Sequence, residues 1–328
     1  MKLMTVIGNR PQLIKIDKRL NQILVWTGQH YSKSMKDAFF KGLKLPKPDY
    51  ELGETKVGAM IDKLIDVIKK ENPDYVMVYG DTNSTLAGAI AAKQCRKKLI
   101  HVEAGMRSGN MGMIEEQNRI MIDHISDYLL CPTKRQVDTL EAERVNGNVG
   151  ICGNVMIDTC FEQLPIKGNE NGDYMLLTLH RAETVDDKEA LEEVFDALGE
   201  VKHKIIFPCH PRTKKQLEKF KVKVPKNVKL IEPVSYKEMV GLIANAKKVL
   251  TDSGGVQVEA HFLATPCYTL RNETEWQETV ESGWNTLVGT DKDTILKYLN
   301  AKFTGGNRDF VYGKGDAKDK IRNFIKSL

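Results

Sequence analysis

Residues 101–119 read HVEAGMRSGNMGMIEEQNR and bring Glu103, Glu115 and Glu116 within fourteen residues of one another. Glu103 closes the apolar run KLIHVEA (98–104), an unusual place for a carboxylate, since unpaired Glu is rarely buried. Burial there would raise its pKa and suit it to proton transfer. The alternative is a structural ion pair with Arg107 or Arg119. Glu115 and Glu116 open a helix, where the macrodipole favours carboxylates. Adjacent helical residues point about 100° apart, so one faces a substrate while the other pairs with an arginine. A further carboxylate, Asp81, follows the strand pattern of VYGDTNST (78–85), with Asn83 or Ser84 placed to cap the next helix. Carboxylates at several strand ends are the material of acid–base chemistry, although each could equally be a cap or an ion pair.

A second group of residues has the chemistry of phosphate binding. Arg10, in GNRPQLIK (8–15), can grip a phosphate with two parallel hydrogen bonds. His180 and Arg181 end one apolar run in LHRAE (179–183), and His210 ends the next in FPCHPR (207–212). TDSGGVQVEA (251–260) is the most specific signal. There a strand ends, Ser253, Gly254 and Gly255 allow close backbone approach, and the free N–H groups of a helix start face an anion. Glu259, further along that helix, is within reach of ribose hydroxyls. Neither G-x-G-x-x-G nor the Walker lysine is present, so the pattern suits a nucleotide-sugar diphosphate better than NAD or ATP. RNETEWQETVESGWNTLVG (271–289) reads as a helix from Glu273 to Glu281 bordering that site, with Trp276 as core or pocket wall. No cluster of His, Cys and carboxylate has zinc spacing, so no protein-held metal is expected.

These residues need strands to hold them. Apolar runs at 2–8, 22–28, 74–80, 98–104, 127–132 and 147–153 alternate with amphipathic segments such as VGAMIDKLIDVIKKE (57–71). The pattern restarts at 172–180, 204–209, 228–233, 247–253 and 265–270, with helices near 187–200, 235–246 and 254–263. Continuous apolar strands separated by helices predict parallel sheets covered on both faces, hence an α/β chain of two doubly wound domains. The turn-rich LPIKGNENGD (164–173) marks the boundary, giving an N-terminal domain over 1–165 and a C-terminal one over 166–314. The final segment, 315–328, is expected to pack back on the first domain. Two such sheets facing each other leave a central cleft at their carboxyl ends, where small ligands bind.

Bulk composition agrees with a small-molecule enzyme. The net charge is +5, from 49 basic and 44 acidic residues, too small and too dispersed to argue for nucleic acid. No apolar stretch reaches the length of a membrane span, and the start lacks the features of a signal peptide. Six scattered cysteines without a C-x-x-C pair read as buried thiols of a reducing compartment, which points to the cytoplasm.

Taken together, GNRPQLIK, TGQHY, VYGDTNST, HVEAGMRS, EEQNR, TLHRAE, HPR and TDSGGVQVEA resemble the non-hydrolysing UDP-N-acetylglucosamine 2-epimerase family over nearly the whole chain. The resemblance implies the glycosyltransferase-B-type architecture, two Rossmann-like domains around a cleft. It implies conversion of UDP-N-acetylglucosamine to UDP-N-acetylmannosamine through 2-acetamidoglucal and UDP, without a redox cofactor. It also implies a homodimer and a place in polysaccharide biosynthesis. Carried over by motif, Asp81, Glu103 and Glu115 are the acid–base set. His180 joins the catalytic groups and, with Arg10, Ser253, Gly254 and Gly255, serves the diphosphate, while His210 is a further substrate-binding residue. Glu259 binds ribose, and the backbone at Pro233 and Val234 reads uracil.

The chain also departs from the family pattern. Asn9 and Gln12 stand where Thr and Glu are usual, Ile114 replaces the Pro before the paired glutamates, and the region after Lys15 is too short for a full first helix. TEWQETVESGWN resembles the subgroup acting on UDP-2,3-diacetamido-2,3-dideoxyglucuronate, which is the alternative substrate. A B-type glycosyltransferase and a degenerate UDP-sugar-binding protein are the readings of other classes.

Overall fold

The structure, a computed structural model, describes residues 1–29, 40, 44–164, 172–306 and 310–328, with the Arg10 side chain excepted. The chain forms two compact units, Met1–Phe161 with Val311–Leu328, and Glu162–Phe310. Most of the turn-rich segment expected to mark the boundary, 165–171, lies outside the described residues.

In the first unit the strands are β1 (Leu3–Ile7), β2 (Gln22–Trp26), β3 (Tyr50–Glu51), β4 (Tyr75–Tyr79), β5 (Lys98–Val102), β6 (Tyr128–Cys131) and β7 (Asn148–Ile151). They form one sheet in the order β3-β2-β1-β4-β5-β6-β7, parallel throughout. Its described helices are α1 (Arg10–Lys15), α2 (Val57–Glu71), α3 (Asn83–Gln94), α4 (Ile114–Ile125), α5 (Lys134–Ala142) and α6 (Val155–Phe161). The order reverses between β1 and β4, the place where doubly wound sheets bind ligands. β1, LMTVI, is buried at every position, as a central parallel strand requires. Helix α2 buries Met60, Leu64, Val67 and Ile68 on one stripe, carries Lys69 and Lys70 in its last turn, and stops where Asn72 turns left-handed (φ 48°). The first helix is six residues long, as the short segment after Lys15 predicts.

The second unit contains β8 (Tyr174–Thr178), β9 (Lys204–Pro208), β10 (Val228–Ile231), β11 (Lys248–Thr251), β12 (Cys267–Thr269) and β13 (Asn285–Leu287). Their order is β10-β9-β8-β11-β12-β13, again parallel, with the reversal between β8 and β11. The helices are α7 (Ala182–Val185), α8 (Lys188–Glu200), α9 (Pro211–Phe220), α10 (Tyr236–Asn245), α11 (Gly254–Phe262), α12 (Gln277–Glu281) and α13 (Lys292–Asn300). Leu191, Val194, Phe195 and Leu198 of α8 pack with Leu177, Ile205, Phe207 and Leu250 as one core. The chain is therefore α/β with two Rossmann-like domains.

Some expectations need correction. The helix expected over Glu273–Glu281 begins only at Gln277. The preceding residues are held in an irregular path by side chains, Thr274 donating to Gln257 at 2.6 Å and Arg271 to Glu275 at 3.1 Å. Strands β3 and β13, two and three residues long, are not among the apolar runs read from the sequence. All six cysteines are free and five are buried.

Helix α14 (Ala317–Ser327) belongs to the first unit. Its own N-cap, Asp316, makes no side-chain cap bond. Asp158 of α6 supplies one from across the chain, accepting the N–H groups of Ala317 (3.1 Å) and Lys318 (2.8 Å). Lys318 donates to Thr159 at 2.7 Å, and Phe324 sits edge-on to Tyr128 with ring centroids 5.5 Å apart. We expect Asp158→Ala to destabilise the protein by about 1–2 kcal/mol, as loss of a cap does, and Asp158→Asn by less. Urea midpoints of the full chain measure both.

Candidate active site

The strand ends of the first sheet carry the predicted acid–base residues. Gly8 follows β1 because no side chain fits there: a Cβ would fall 1.8 Å from Ser84 Oγ and 2.2 Å from Thr27 Oγ1. Asn9 then caps α1, accepting from the Gln12 N–H at 3.1 Å, while Gln12 Oε1 accepts from the N–H groups of Gly8 (2.7 Å) and Asn9 (3.3 Å). The departures at these two positions thus form a complete capping box. The amide of Gln12 does more, donating from Nε2 to the Tyr79 carbonyl (2.8 Å) and Thr85 Oγ1 (2.9 Å). A carboxylate could not make those bonds. Arg10 opens α1, and its side chain lies outside the described residues.

β4 leads through Gly80 to Asp81, whose carboxylate receives Arg119 Nε at 2.9 Å and Nη2 at 2.7 Å. The cap of α3 is Thr82, in a reciprocal arrangement with Thr85, rather than Asn83 or Ser84, which sit inside the helix. On the next strand Glu103 is buried and pairs with Lys15, the last residue of α1, and not with Arg107 or Arg119. Arg119 goes instead to Asp81 and Glu116, and Arg107 to Asp123 and Glu143, so neither is left for Glu103. Glu103 is held at φ 71°, a left-handed conformation that costs a β-carbon-bearing residue energy. Its carboxylate lies over Gly80: a Cβ on that glycine would be 3.2 Å from Glu103 Oε2 and 3.4 Å from Lys15 Nζ. Asp81 and Glu103 therefore occupy adjoining strand ends, each on its own cation.

A buried network fixes these turns. The His101 ring, fully enclosed, contacts Asp123 Oδ1 through Nδ1 (2.7 Å) and the Gly80 carbonyl through Nε2 (2.8 Å). Asp123 Oδ2 accepts from the Gly105 N–H (3.1 Å) and from Arg107 Nη1 (2.8 Å). Burial pushes the Asp123 carboxyl up, but His101 and Arg107 outweigh it and hold the group below the usual carboxylate range.

At the start of α4 the two glutamates divide. Glu116 is buried and accepts the N–H groups of Ser108 and Gly109, the latter at 2.8 Å, and pairs with Arg119. Burial would raise its pKa, yet those donors lower it. Glu115 is half-buried, and among the described residues its carboxylate has no hydrogen bond or ion pair. Ile114, in place of the usual Pro, is the first residue of the helix and 63% exposed.

In the second unit His180 follows β8 and is partly exposed. Its backbone N–H and that of Arg181 both donate to Asp252 Oδ2 at 2.8 Å. His210 caps α9 through Nδ1, which accepts the Arg212 N–H at 3.2 Å, and its ring centroid is 5.8 Å from that of His180. Ser253 precedes α11 without a side-chain cap, and Gly255 lies in the first turn, the kind of helix start whose N–H groups suit an anion. Gly254 is dictated by packing, since a Cβ would meet Glu275 Oε1 at 2.6 Å and Trp276 Nε1 at 2.8 Å. Glu259 is buried and accepts from the Tyr236 hydroxyl at 2.8 Å, which ties α11 to the helix that follows Pro233 and Val234. Among the described residues no group of three His, Cys, Asp or Glu side chains is arranged to hold a metal ion.

Sequence reading missed Lys15, His101, Asp123 and Asp252. Only Lys15 left a signal, a cation closing GNRPQLIK directly after Leu13 and Ile14.

Two measurements follow from this geometry. Ile114 occupies the first helical position and its predecessor, Met113, is extended (ψ 130°), so both residues suit a proline. Ile114→Pro should stabilise the protein by about 0.4–1 kcal/mol in a denaturant titration. Glu116 and Asp123 have folded pKa values below their unfolded ones, so their contribution is full above about pH 4 and is lost as pH falls through the lowered values. Urea midpoints should decline with acid over that window, and Glu116→Gln should flatten the decline.

Comparison with known proteins identifies the family. The family model of UDP-N-acetylglucosamine 2-epimerase matches residues 12–326. The chain is 41% identical to the UDP-N-acetylglucosamine 2-epimerase of Methanocaldococcus jannaschii, over 98% of both chains. It is 42% identical to the UDP-2,3-diacetamido-2,3-dideoxy-D-glucuronate 2-epimerase of Pseudomonas aeruginosa over the full length of both. The crystal structure of the Methanocaldococcus enzyme in complex with UDP-GlcNAc and UDP superimposes with a TM-score of 0.92 at 40% identity, again over all of both chains. With strand order, capping and paired carboxylates in place, the chain belongs to the UDP-N-acetylglucosamine 2-epimerase family, a family of isomerases.

Proposed function

We propose that this protein interconverts UDP-N-acetylglucosamine and UDP-N-acetylmannosamine without hydrolysis or a redox cofactor. The observation that carries the reading is the pair Asp81 and Glu103, set on adjoining strand ends and each held by a separate cation. A base removes the proton at sugar C2 while the C1–O bond to UDP breaks, giving 2-acetamidoglucal and UDP. The diphosphate oxygen then returns to C1 as a proton is delivered to the opposite face of C2. That C2–H is not next to a carbonyl, so stabilisation of the departing diphosphate must supply much of the driving force. Arg10, His180, His210 and the α11 start from Ser253 to Gly255 are assigned to it. Glu259 is assigned to ribose and the backbone at Pro233 and Val234 to uracil.

Inversion needs proton-transfer groups on two faces, and Glu115 completes the set with Asp81 and Glu103. Its lack of a described ion-pair partner leaves its carboxylate available to the sugar. Binding of UDP-GlcNAc and UDP by the Methanocaldococcus relative supports this substrate. The Pseudomonas relative, named for the diacetamido-glucuronate and as similar in sequence, supports the second one. A homodimer and a place in polysaccharide biosynthesis rest on family resemblance, and the cytoplasm on the scattered cysteines without a C-x-x-C pair.

Incubation of each UDP-sugar in deuterium oxide tests the reading, with label expected at C2 of the recovered sugar nucleotide. Turnover of the uronate alone would replace the substrate. Sugar transfer to an acceptor without C2 exchange would indicate a glycosyltransferase, and UDP binding without exchange a binding protein. Asp81→Asn and Glu103→Gln should lower exchange by about 10²–10⁴-fold while retaining UDP. Near-normal exchange in Glu103→Gln would remove its assigned role. Arg10→Ala should cost about a hundredfold in kcat/KM.

A further inference from the structure

His180 and His210 stand side by side at neighbouring strand ends, yet their hydrogen bonds make them different chemical objects. His210 Nδ1 accepts the Arg212 N–H, so that nitrogen carries a lone pair and its proton resides on Nε2. The ring cannot take a second proton without giving up the cap of α9. His180 Nδ1 instead faces a carboxylate, Asp252 Oδ1, at 3.3 Å.

Asp252 is fully enclosed, and its two oxygens are used unequally. Oδ2 accepts the backbone N–H groups of His180 and Arg181. Oδ1 is buried, and among the described residues it has no aligned hydrogen bond, His180 Nδ1 being its ion-pair contact. An unsatisfied carboxylate oxygen in the interior is costly, and a small rotation of the exposed imidazole would satisfy it. The carboxyl is nonetheless held below the usual range: burial pushes it up, and the His180 ring with the two backbone donors outweighs that push. The two residues lie at the strand reversal, since Thr178 of β8 is in register with Thr251 of β11.

We propose that Asp252 is a positioning residue for His180, taking the ring's Nδ1–H so that Nε2 faces outward and, in the doubly protonated ring, donates to the departing diphosphate of the sugar nucleotide. The diphosphate role rests on the function proposed above, whereas the pairing itself does not. The same contact distinguishes His180 from His210 as the acid of this proposal. A ring bonded to a carboxylate through Nδ1–H can carry a proton on Nε2 as well, and the cation formed is stabilised by the same carboxylate. His210 Nδ1 is committed to the helix cap.

The test uses the full chain. In a ¹H–¹⁵N spectrum of histidine-labelled protein, His180 should show a protonated Nδ1 and His210 an unprotonated one. In Asp252→Asn the side-chain oxygen can still accept the two backbone N–H groups, while the amide nitrogen faces His180 and forces Nδ1 to become an acceptor. The His180 signature should then switch to the Nε2–H tautomer. In the deuterium-exchange assay the same variant should lose about a hundredfold in kcat with little change in KM. Combined with His180→Gln it should be no slower than His180→Gln alone, because the carboxylate acts through the ring. An unaltered His180 spectrum in Asp252→Asn, or losses that simply multiply, would overturn the proposal. Wild-type protein that exchanges neither UDP-sugar would sink the epimerase reading instead, and the spectra would still decide the pairing. Should Asp252→Asn not fold, an unprotonated Nδ1 on wild-type His180 would by itself refute the contact.

Discussion

A carboxylate at the end of a parallel strand faces two opposed demands. It must be near enough to the sheet to be aimed, and that nearness removes it from water. The fold meets this by giving each such group a partner that arrives from elsewhere in the chain. Glu103 is met by Lys15, Asp81 by Arg119, and Asp252 by His180, while Asp123 of α4 reaches back to His101 on β5 and to Arg107. A buried charge without its partner is far more destabilising than the pair is stabilising. Helices α1 and α4 therefore cannot shift without stranding a charge, and the positions of the strand ends are fixed by that penalty as much as by hydrophobic packing.

The same constraint explains the backbone at the site. Glu103 turns left-handed, which a residue with a side chain adopts only when its surroundings hold it there. They do so twice, through the ion pair with Lys15 and through its N–H, which donates to the Leu130 carbonyl at 3.0 Å. Behind it, His101 grips the carbonyl of Gly80 and so couples the turn before Asp81 to the turn at Glu103. Gln12 performs the corresponding task at β1, reaching Tyr79 and Thr85 from the start of α1. A residue that departs from the family pattern is here fully bonded, which argues against reading that departure as decay.

Much of the fold was legible in the sequence because parallel strands and amphipathic helices write their period locally. KLMTVIG, DYVMVYG and KLIHVEA announce strands by continuous apolar character, and VGAMIDKLIDVIKKE announces α2 by spacing. Glu103 was legible for the same reason, since it interrupts an apolar run, and Asp81 and Glu115 were legible from the strand end and helix start beside them. Their partners were not. Lys15 and Glu103 are 88 residues apart, and nothing local to either names the other. Tertiary pairing also redirected Arg119 from Glu103 to Asp81. The polar segment before Gln277 looked helical by composition, but Thr274 Oγ1, accepting the Trp276 N–H at 3.1 Å, offered its backbone a competing path.

The attachment of α14 has a consequence for how the protein is made. Residues 311–328 complete the first unit, yet they are translated only after the whole of 162–310. During synthesis the first sheet must wait with the surface around Asp158, Thr159 and Tyr128 uncovered while the second unit forms as a self-contained insertion. Folding of the first unit is thus a closing step rather than an opening one. Until Asp158 receives the start of α14, the nascent chain exposes the apolar seat later filled by Ile321 and Ile325.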